Sequence, residues 1–355
     1  MVQGQEAFEE TKPRSPYRGR PSTTFWRAAV SDNQGETLSG LYEKKFNIGA
    51  HDAVATAGSC FAQHIATNLR SNGFNVIDAE PAPKAMTRKT AEKFGFGVYS
   101  ARFGNIYYVR QLLQLAQEAY GHRQPSSWIW KKGNRYFDAL RPSVEPEGFA
   151  TEAEVVTHRQ QHLAAVRKLL SSASVLVYTF GLTEGWVDRR SETVFPTAPG
   201  TLCGDFDPEV FHFKNFSYAE VVSDFEQLRD LIKLHNPDIK FLLTVSPVAL
   251  AATATDDHVL VSTTYSKAVL RAAVGDLAKR HDDVAYFPSF EVITGSPARG
   301  RYWDDTLRSV TPEGVRQVMT HFFNSHSPVG DDEKEKIVTA EELLCEEALL
   351  EVFGK

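Results

Sequence analysis

Three cysteines in 355 residues, Cys60, Cys203 and Cys345, are too few for a disulfide scaffold. Their odd number points to a reducing compartment. No stretch approaches about eighteen uninterrupted apolar residues, so no membrane-spanning helix is expected. The opening residues, MVQGQEAFEETKPRSPYRGR, lack the apolar core of a secretory signal, and a cytoplasmic protein is expected. Basic residues are not in excess. A net charge of -6 gives no basic face for nucleic acid, which is not expected as a partner. No internal repeat is seen. What the chain does have is ordinary: 42% hydrophobic and 24% charged residues form a soluble globular composition, in a chain long enough to bury a large core.

Residues 1–22 are charged and proline-containing and read as a disordered or surface-draped arm. Beyond them, strand-like runs alternate with helical patterns. SVLVYTF (174–180) and KFLLTVS (240–246) are short apolar runs of the kind buried on both faces of a sheet. FNVID (74–78) and DVAYFPS (283–289) are weaker examples, and Ala53–Ala55 begins another. Between them, Val109, Leu112, Leu113, Ala116 and Tyr120 keep helical spacing, as do Val221, Val222, Phe225, Leu228, Leu231 and Ile232. Strand followed by helix, several times over, predicts an α/β fold with a parallel sheet. Two stretches break the alternation, about 80–150 and about 187–216, and both read as insertions covering one end of the sheet. From Asp331 the chain is acidic and then amphipathic, which predicts a C-terminal helix over 329–355. That helix would pack on the body or serve as an oligomer contact.

The stretch TAGSCFAQHI (56–65) places Gly58-Ser59-Cys60 where a strand hands over to a helix. Such a turn can present a nucleophile, with the N–H groups of the helix start behind it. It can equally be a tight turn with a Ser cap and a small buried Cys. Ligand sites in open parallel sheets form beyond the carboxyl ends of the strands, so the residues there carry the most information. They are Gly58-Ser59-Cys60 after the first strand and Gly181-Leu182-Thr183-Glu184-Gly185-Trp186 after the second. After the third come Ser246-Pro247 and, later, Asp256, Asp257 and His258. After the fourth come Trp303, Asp304, Asp305 and Arg308, before a helix announced by Thr311-Pro312-Glu313.

With these blocks the sequence resembles the GSCFA-domain family, which takes its name from Gly58–Ala62. SPYRG, FWRAAV, GNIYYVRQLLQL, TFGLTEGW, LLTVSPV and LRSVTPEGV extend the resemblance over about 17–325. It implies the SGNH/GDSL hydrolase superfamily, a three-layer α/β/α sandwich with a parallel sheet over 23–328. Its chemistry is acyl transfer from an ester, to water or to a sugar hydroxyl, with a link to surface polysaccharide and no cofactor. Carried over residue by residue, the nucleophile falls on Cys60 in strict register, or on Ser59 after a shift of one. The oxyanion donors fall on the Gly104 N–H, with Gly95 and Gly97 as alternatives, and on Thr183 in place of the usual Asn. Glu184 stands in place of an Asp. The general-base His is replaced by Arg308, after Asp305.

Arginine cannot accept the proton, since it stays charged. Either His258 reaches the site from a neighbouring strand end, or Cys60 works as a thiolate. In the second case Arg308 and the helix start lower its pKa, and Asp305 orients Arg308. The rival reading is a non-catalytic carbohydrate-binding or polysaccharide-assembly protein that lost its base. Trp186 and Trp303 could stack on a sugar or roof the core. Other candidates are set aside. His158 and His162 have metal-ligand spacing, but Arg159 stands where a zinc protease carries Glu and no third ligand is near, so no metal is expected. His64 and His321 read as packing residues, Cys203 as a loop hydrophobe, and Arg189 and Arg190 as a solvated turn.

Overall fold

The protein is described here by a computed structural model covering residues 15–33, 38–326, 338 and 345–354. In chain order its elements begin with β1 (Val54–Gly58), α1 (Phe61–Ser71), α2 (Arg88–Lys93), α3 (Val109–Ala119), β2 (Ile129–Lys132) and β3 (Arg135–Asp138). There follow α4 (Glu152–Ser172), β4 (Val175–Phe180), β5 (Glu184–Asp188), β6 (Val194–Phe195), β7 (Phe211–Asn215) and α5 (Tyr218–His235). The last are β8 (Lys240–Val245), α6 (Val259–Arg280), β9 (Val284–Tyr286), α7 (Ser289–Thr294) and α8 (Pro312–Phe323).

The apolar runs become β1, β4, β8 and β9, joined in that order as a parallel sheet. Side chains alternate along a strand, so each strand feeds two cores. Ala55, Ala57, Leu176, Tyr178, Phe180, Phe241, Leu243 and Val245 share one cluster with Leu112 of α3, Val166 of α4, Phe225 of α5 and Leu270 of α6. The opposite face meets α1 and α7, with α8 packed on both helices. The result is the expected three-layer α/β/α sandwich.

The run at 74–78 gives less than a strand: one parallel bridge, Val54 to Val76, on the free side of β1. Counting that bridge, the spatial order is 2-1-3-4-5, which reverses direction between β1 and β4. A crevice opens at such a reversal, beyond the carboxyl ends of those two strands.

Helix starts follow local chemistry. Thr151 with Glu154 and Ser217 with Glu220 form capping boxes on α4 and α5. Thr311 accepts the Gly314 N–H at 3.2 Å with Pro312 in the first turn of α8, as that sequence announced. The segment read as a first insertion contains α3, which packs in the core, as well as the β2–β3 hairpin. The aperiodic stretch after β4 is an antiparallel sheet, β6–β5–β7, whose strands are too short to show a period. The described residues up to Leu41 form a separate small unit, with a 3₁₀ turn at Ser22–Thr24 and a π-type turn at Arg27–Ser31. The arm read over 1–22 lies partly outside the described residues, as does much of the C-terminal helix read over 329–355. What is described there is a 3₁₀ helix, Glu346–Gly354.

Gly58 closes β1 at φ 143°, and a Cβ there would lie 2.6 Å from the Thr179 carbonyl oxygen. Gly58→Ala is therefore expected to cost about 3 kcal/mol in urea unfolding. A loss below about 1 kcal/mol would mean that the turn relaxes around the methyl group.

Candidate active site

The turn after β1 is tied to the next strand. The Ser59 N–H donates to the Thr179 carbonyl at 3.3 Å, and the Tyr99 hydroxyl donates to the Ser59 carbonyl at 3.1 Å. Gly181 lets the two strand ends close, because a Cβ at that position would meet the Ser59 Cβ at 2.9 Å. The Ser59 Oγ is buried and has no hydrogen-bond partner among the described residues. Cys60 follows at the start of α1 and is also buried.

α6 supplies the floor. Ser266 Oγ accepts the Thr183 N–H at 3.1 Å, and Lys267 Nζ donates to the Gly181 carbonyl at 2.6 Å. The Lys267 ammonium is buried, and desolvation lowers its pKa to about 8 despite the opposing pull of the Glu347 charge. Arg308, on the approach to α8, anchors its Nε on the Ala249 carbonyl at 3.1 Å.

The third wall comes from the far end of the chain. Glu347 accepts Arg308 Nη2 at 3.1 Å and the Ala251 N–H at 2.8 Å. Desolvation raises its pKa to about 7. Glu346 receives three neutral donors. Its Oε2 takes the Asn105 amide and the Tyr107 hydroxyl, the latter at 2.9 Å, and its Oε1 takes the Ser143 hydroxyl. Cys345 lies 3.9 Å from Arg308 Nη2 and faces Cys60. The Cys60 thiol donates to it, and that bond together with Arg308 lowers the Cys345 pKa to about 6. The same bond, with burial, pushes the Cys60 thiol well up. Cys345 is thus a second sulfur that shares the Arg308 field in which a thiolate was expected on Cys60. The two sulfurs compete for the charge.

Two further expectations change. Arg308 is paired with Glu347, and no ion pair among the described residues links it to Asp305, which is exposed. The buried carboxylate is the stronger partner because water does not screen it. His258 is exposed and caps α6, its Nδ1 accepting the Leu260 N–H at 3.1 Å. Its hydrogen bonds among the described residues are all local to that cap and do not extend to Ser59 or Cys60.

Gly104 has φ 69° and borders the Glu346 cradle, with a Cβ position 3.6 Å from Glu346 Oε1. Thr183 Oγ1 is buried without a hydrogen-bond partner among the described residues. Glu184 and Trp186 line a pocket of about 150 Å³ that Glu346, Glu347 and Leu350 also border. Glu184 accepts the Thr253 hydroxyl at 2.8 Å. Trp303 is half-buried, with its backbone bridged to Val310.

Of the residues set aside, His162 is bonded to Glu80 at 2.7 Å. His64 packs edge-on to Phe61, and burial lowers its pKa to about 4. Among the described residues no group of His, Cys, Asp or Glu could hold a metal ion, and no helix is long and apolar enough to cross a membrane.

Sequence reasoning missed Lys267 and Cys345-Glu346-Glu347. Lys267 did leave a signal. It sits in the buried stripe Ser262, Ser266, Leu270, Ala273, Val274, Leu277 of α6, where a lysine is out of place. The C-terminal trio left none, since only the folded chain brings it to β1.

Residues 53–322, more than half of the chain, match the GSCFA family. No curated protein matches the chain.

Proposed function

The chain belongs to the GSCFA family, and from that premise we propose that it is an SGNH-like acyl-ester hydrolase or O-acyltransferase, acting on a carbohydrate or another small ester, with Cys60 as attacking group. One observation carries this reading. Cys60 stands at the switch point of the sheet, at the start of α1, in the electrostatic reach of both Lys267 and Arg308. Lys267, a buried amine with a pKa near neutrality, takes the place of the missing histidine as base. Neutral Lys267 accepts the thiol proton as Cys60 Sγ bonds to the ester carbonyl carbon. The carbonyl electrons move onto oxygen, steadied by neutral donors such as Asn105 and Tyr107. On collapse the C–O bond breaks, and the proton passes from Lys267 to the departing alkoxide. Water or a sugar hydroxyl then attacks the thioester carbon and gives its proton to Lys267; the C–S bond breaks, and Lys267 returns the proton to the Cys60 sulfur.

The test is acyl-enzyme trapping with p-nitrophenyl esters, read by intact mass. It uses the full chain and a chain ending at Leu344, which leaves the crevice open. On the chain ending at Leu344, which lacks Cys345, one acyl group is expected on Cys60, absent with Cys60→Ala and retained with Ser59→Ala. Lys267→Met is expected to slow acylation by about a hundredfold or more. An adduct on that shortened chain that survives Cys60→Ala sinks the cysteine mechanism. No adduct on the shortened chain favours the binding-protein reading, which the burial of Cys60 and Ser59 supports.

A further inference from the structure

Two carboxylates of the chain's own C-terminal segment fill two differently built receptors at the carboxyl edge of the sheet. Around Glu346 the donors are neutral: the Asn105 amide, the Tyr107 hydroxyl and the Ser143 hydroxyl reach both oxygens. No ion pair of Glu346 occurs among the described residues. Neutral donors converging on oxygen suit an acyl oxygen that gains and loses charge. This cradle is wired to the nucleophile turn, because the Tyr99 hydroxyl bridges the Ser59 carbonyl at 3.1 Å and Asn105 Oδ1 at 2.5 Å. Around Glu347 the receptor is cationic. Arg308 and the Ala251 N–H bind the carboxylate directly, and the charge of buried Lys267 acts on it. A cationic corner of this kind discriminates by charge, since leaving it empty of an anion strands the largely buried Arg308 guanidinium, and Lys267 whenever it is protonated.

We propose that Glu346 and Glu347 occupy, in cis, the subsites for an acyl carboxyl group and for a second anionic group on the same substrate. The substrate is then an ester whose acyl part carries its own carboxylate, a half-ester of a short dicarboxylic acid. The class rests on the acyl-transfer reading; the anion-binding corner does not. The pocket of about 150 Å³ beside Glu346 and Glu347, walled by Glu184 and Trp186, gives the alcohol part a place to lie. Substrate enters only when Cys345–Glu347 leave. A second anchor lies upstream, where the Asn68 side chain pairs with both backbone groups of Val338, at 2.6 and 2.9 Å.

The test is equilibrium binding of succinate, followed by calorimetry near pH 7, with no turnover involved. The chain ending at Leu344 is expected to bind succinate about tenfold or more tighter than the full chain, because the competing occupant is gone. A full-length Glu346→Ala/Glu347→Ala variant, which keeps the segment, is expected to behave likewise and stands in if the shortened chain fails to fold. Adding Arg308→Gln to either variant should abolish the gain, and a free peptide of residues 345–354 should compete. Succinamide, lacking the charges, should not bind. If neither variant binds succinate better than the full chain, the proposal is overturned. An acyl-enzyme on Cys60 without succinate binding would leave the hydrolase reading standing and remove this substrate class. Succinate binding without any acyl-enzyme would leave an anion-binding protein.

Discussion

Iodoacetamide at pH 7 is expected to label one thiol of the full chain, and that thiol is Cys345. Burial raises Cys203 to about 12, and its bond to Cys345 holds Cys60 well above the ordinary thiol range. Cys345 alone is brought below neutrality, to about 6. The first cause is the bond from the Cys60 thiol, and Arg308 adds to it. In Cys60→Ala that bond is gone, and the midpoint of the labelling profile should move towards an ordinary value of about 8.5. A full return would slow labelling at pH 7 by about thirtyfold, since the thiolate would fall from most of the population to about 3%. The sign is fixed by linkage. A thiol with a depressed pKa favours the docked segment at high pH, and that contribution is lost as pH falls through about 6. Equal labelling of Cys60 and Cys345, or a midpoint unmoved in Cys60→Ala, would show that the two sulfurs do not share the charge.

The largest stability effect is expected away from the crevice, at Asp138 on the last position of β3. Its Oδ2 accepts Arg141 Nε at 2.7 Å and lies 3.5 Å from Arg159 Nη1, with all three side chains at most 5% exposed. Burial alone would raise the carboxyl pKa, but the guanidiniums of Arg159 and Arg141 outweigh it and lower it. Asp138→Asn keeps the shape and removes the charge, leaving two buried cations short of a partner. A loss of about 3–5 kcal/mol in urea unfolding near pH 7 is expected. Arg88→Ala, which breaks the exposed Arg88–Glu92 pair on α2, should cost no more than about 0.5 kcal/mol. The Asp138 contribution should be whole above the ordinary carboxylate range and fall away as pH drops below it. Similar losses for the two variants would mean that water reaches the buried cluster.

The layers were legible because their signal is local. A strand covered on both faces must be apolar throughout, so 175–180 and 240–245 stand out in the sequence. The run at 74–78 misled because apolar composition does not say how long a strand keeps its neighbour, and here pairing is a single bridge. The turn at Gly58–Cys60 and the strand-end blocks were legible for the same reason as the strands. The charge state of the crevice was not. It depends on Lys267, the one charged residue in an otherwise uncharged buried stripe, and on Cys345–Glu347, nearly three hundred positions from Cys60. Contacts of that kind have no period and no local motif. Arg308 was found from its strand-end position, but its partner was sought three residues away and lay at the other end of the chain.

The short flanks of the central sheet bear on solubility during folding. A long open strand invites a second chain to add to it, and natural sheets blunt their borders for that reason. Here one border is the lone bridge at Val76 and the other is β9, with three residues. Lys45 places its ammonium on the Ala278 and Val284 carbonyls, at 2.7 and 3.2 Å, so a charge guards the β9 side. The long, sticky strands β4 and β8 are interior to the sheet, each with a neighbour on both sides. Edge-to-edge aggregation through the central sheet therefore has little backbone to start from.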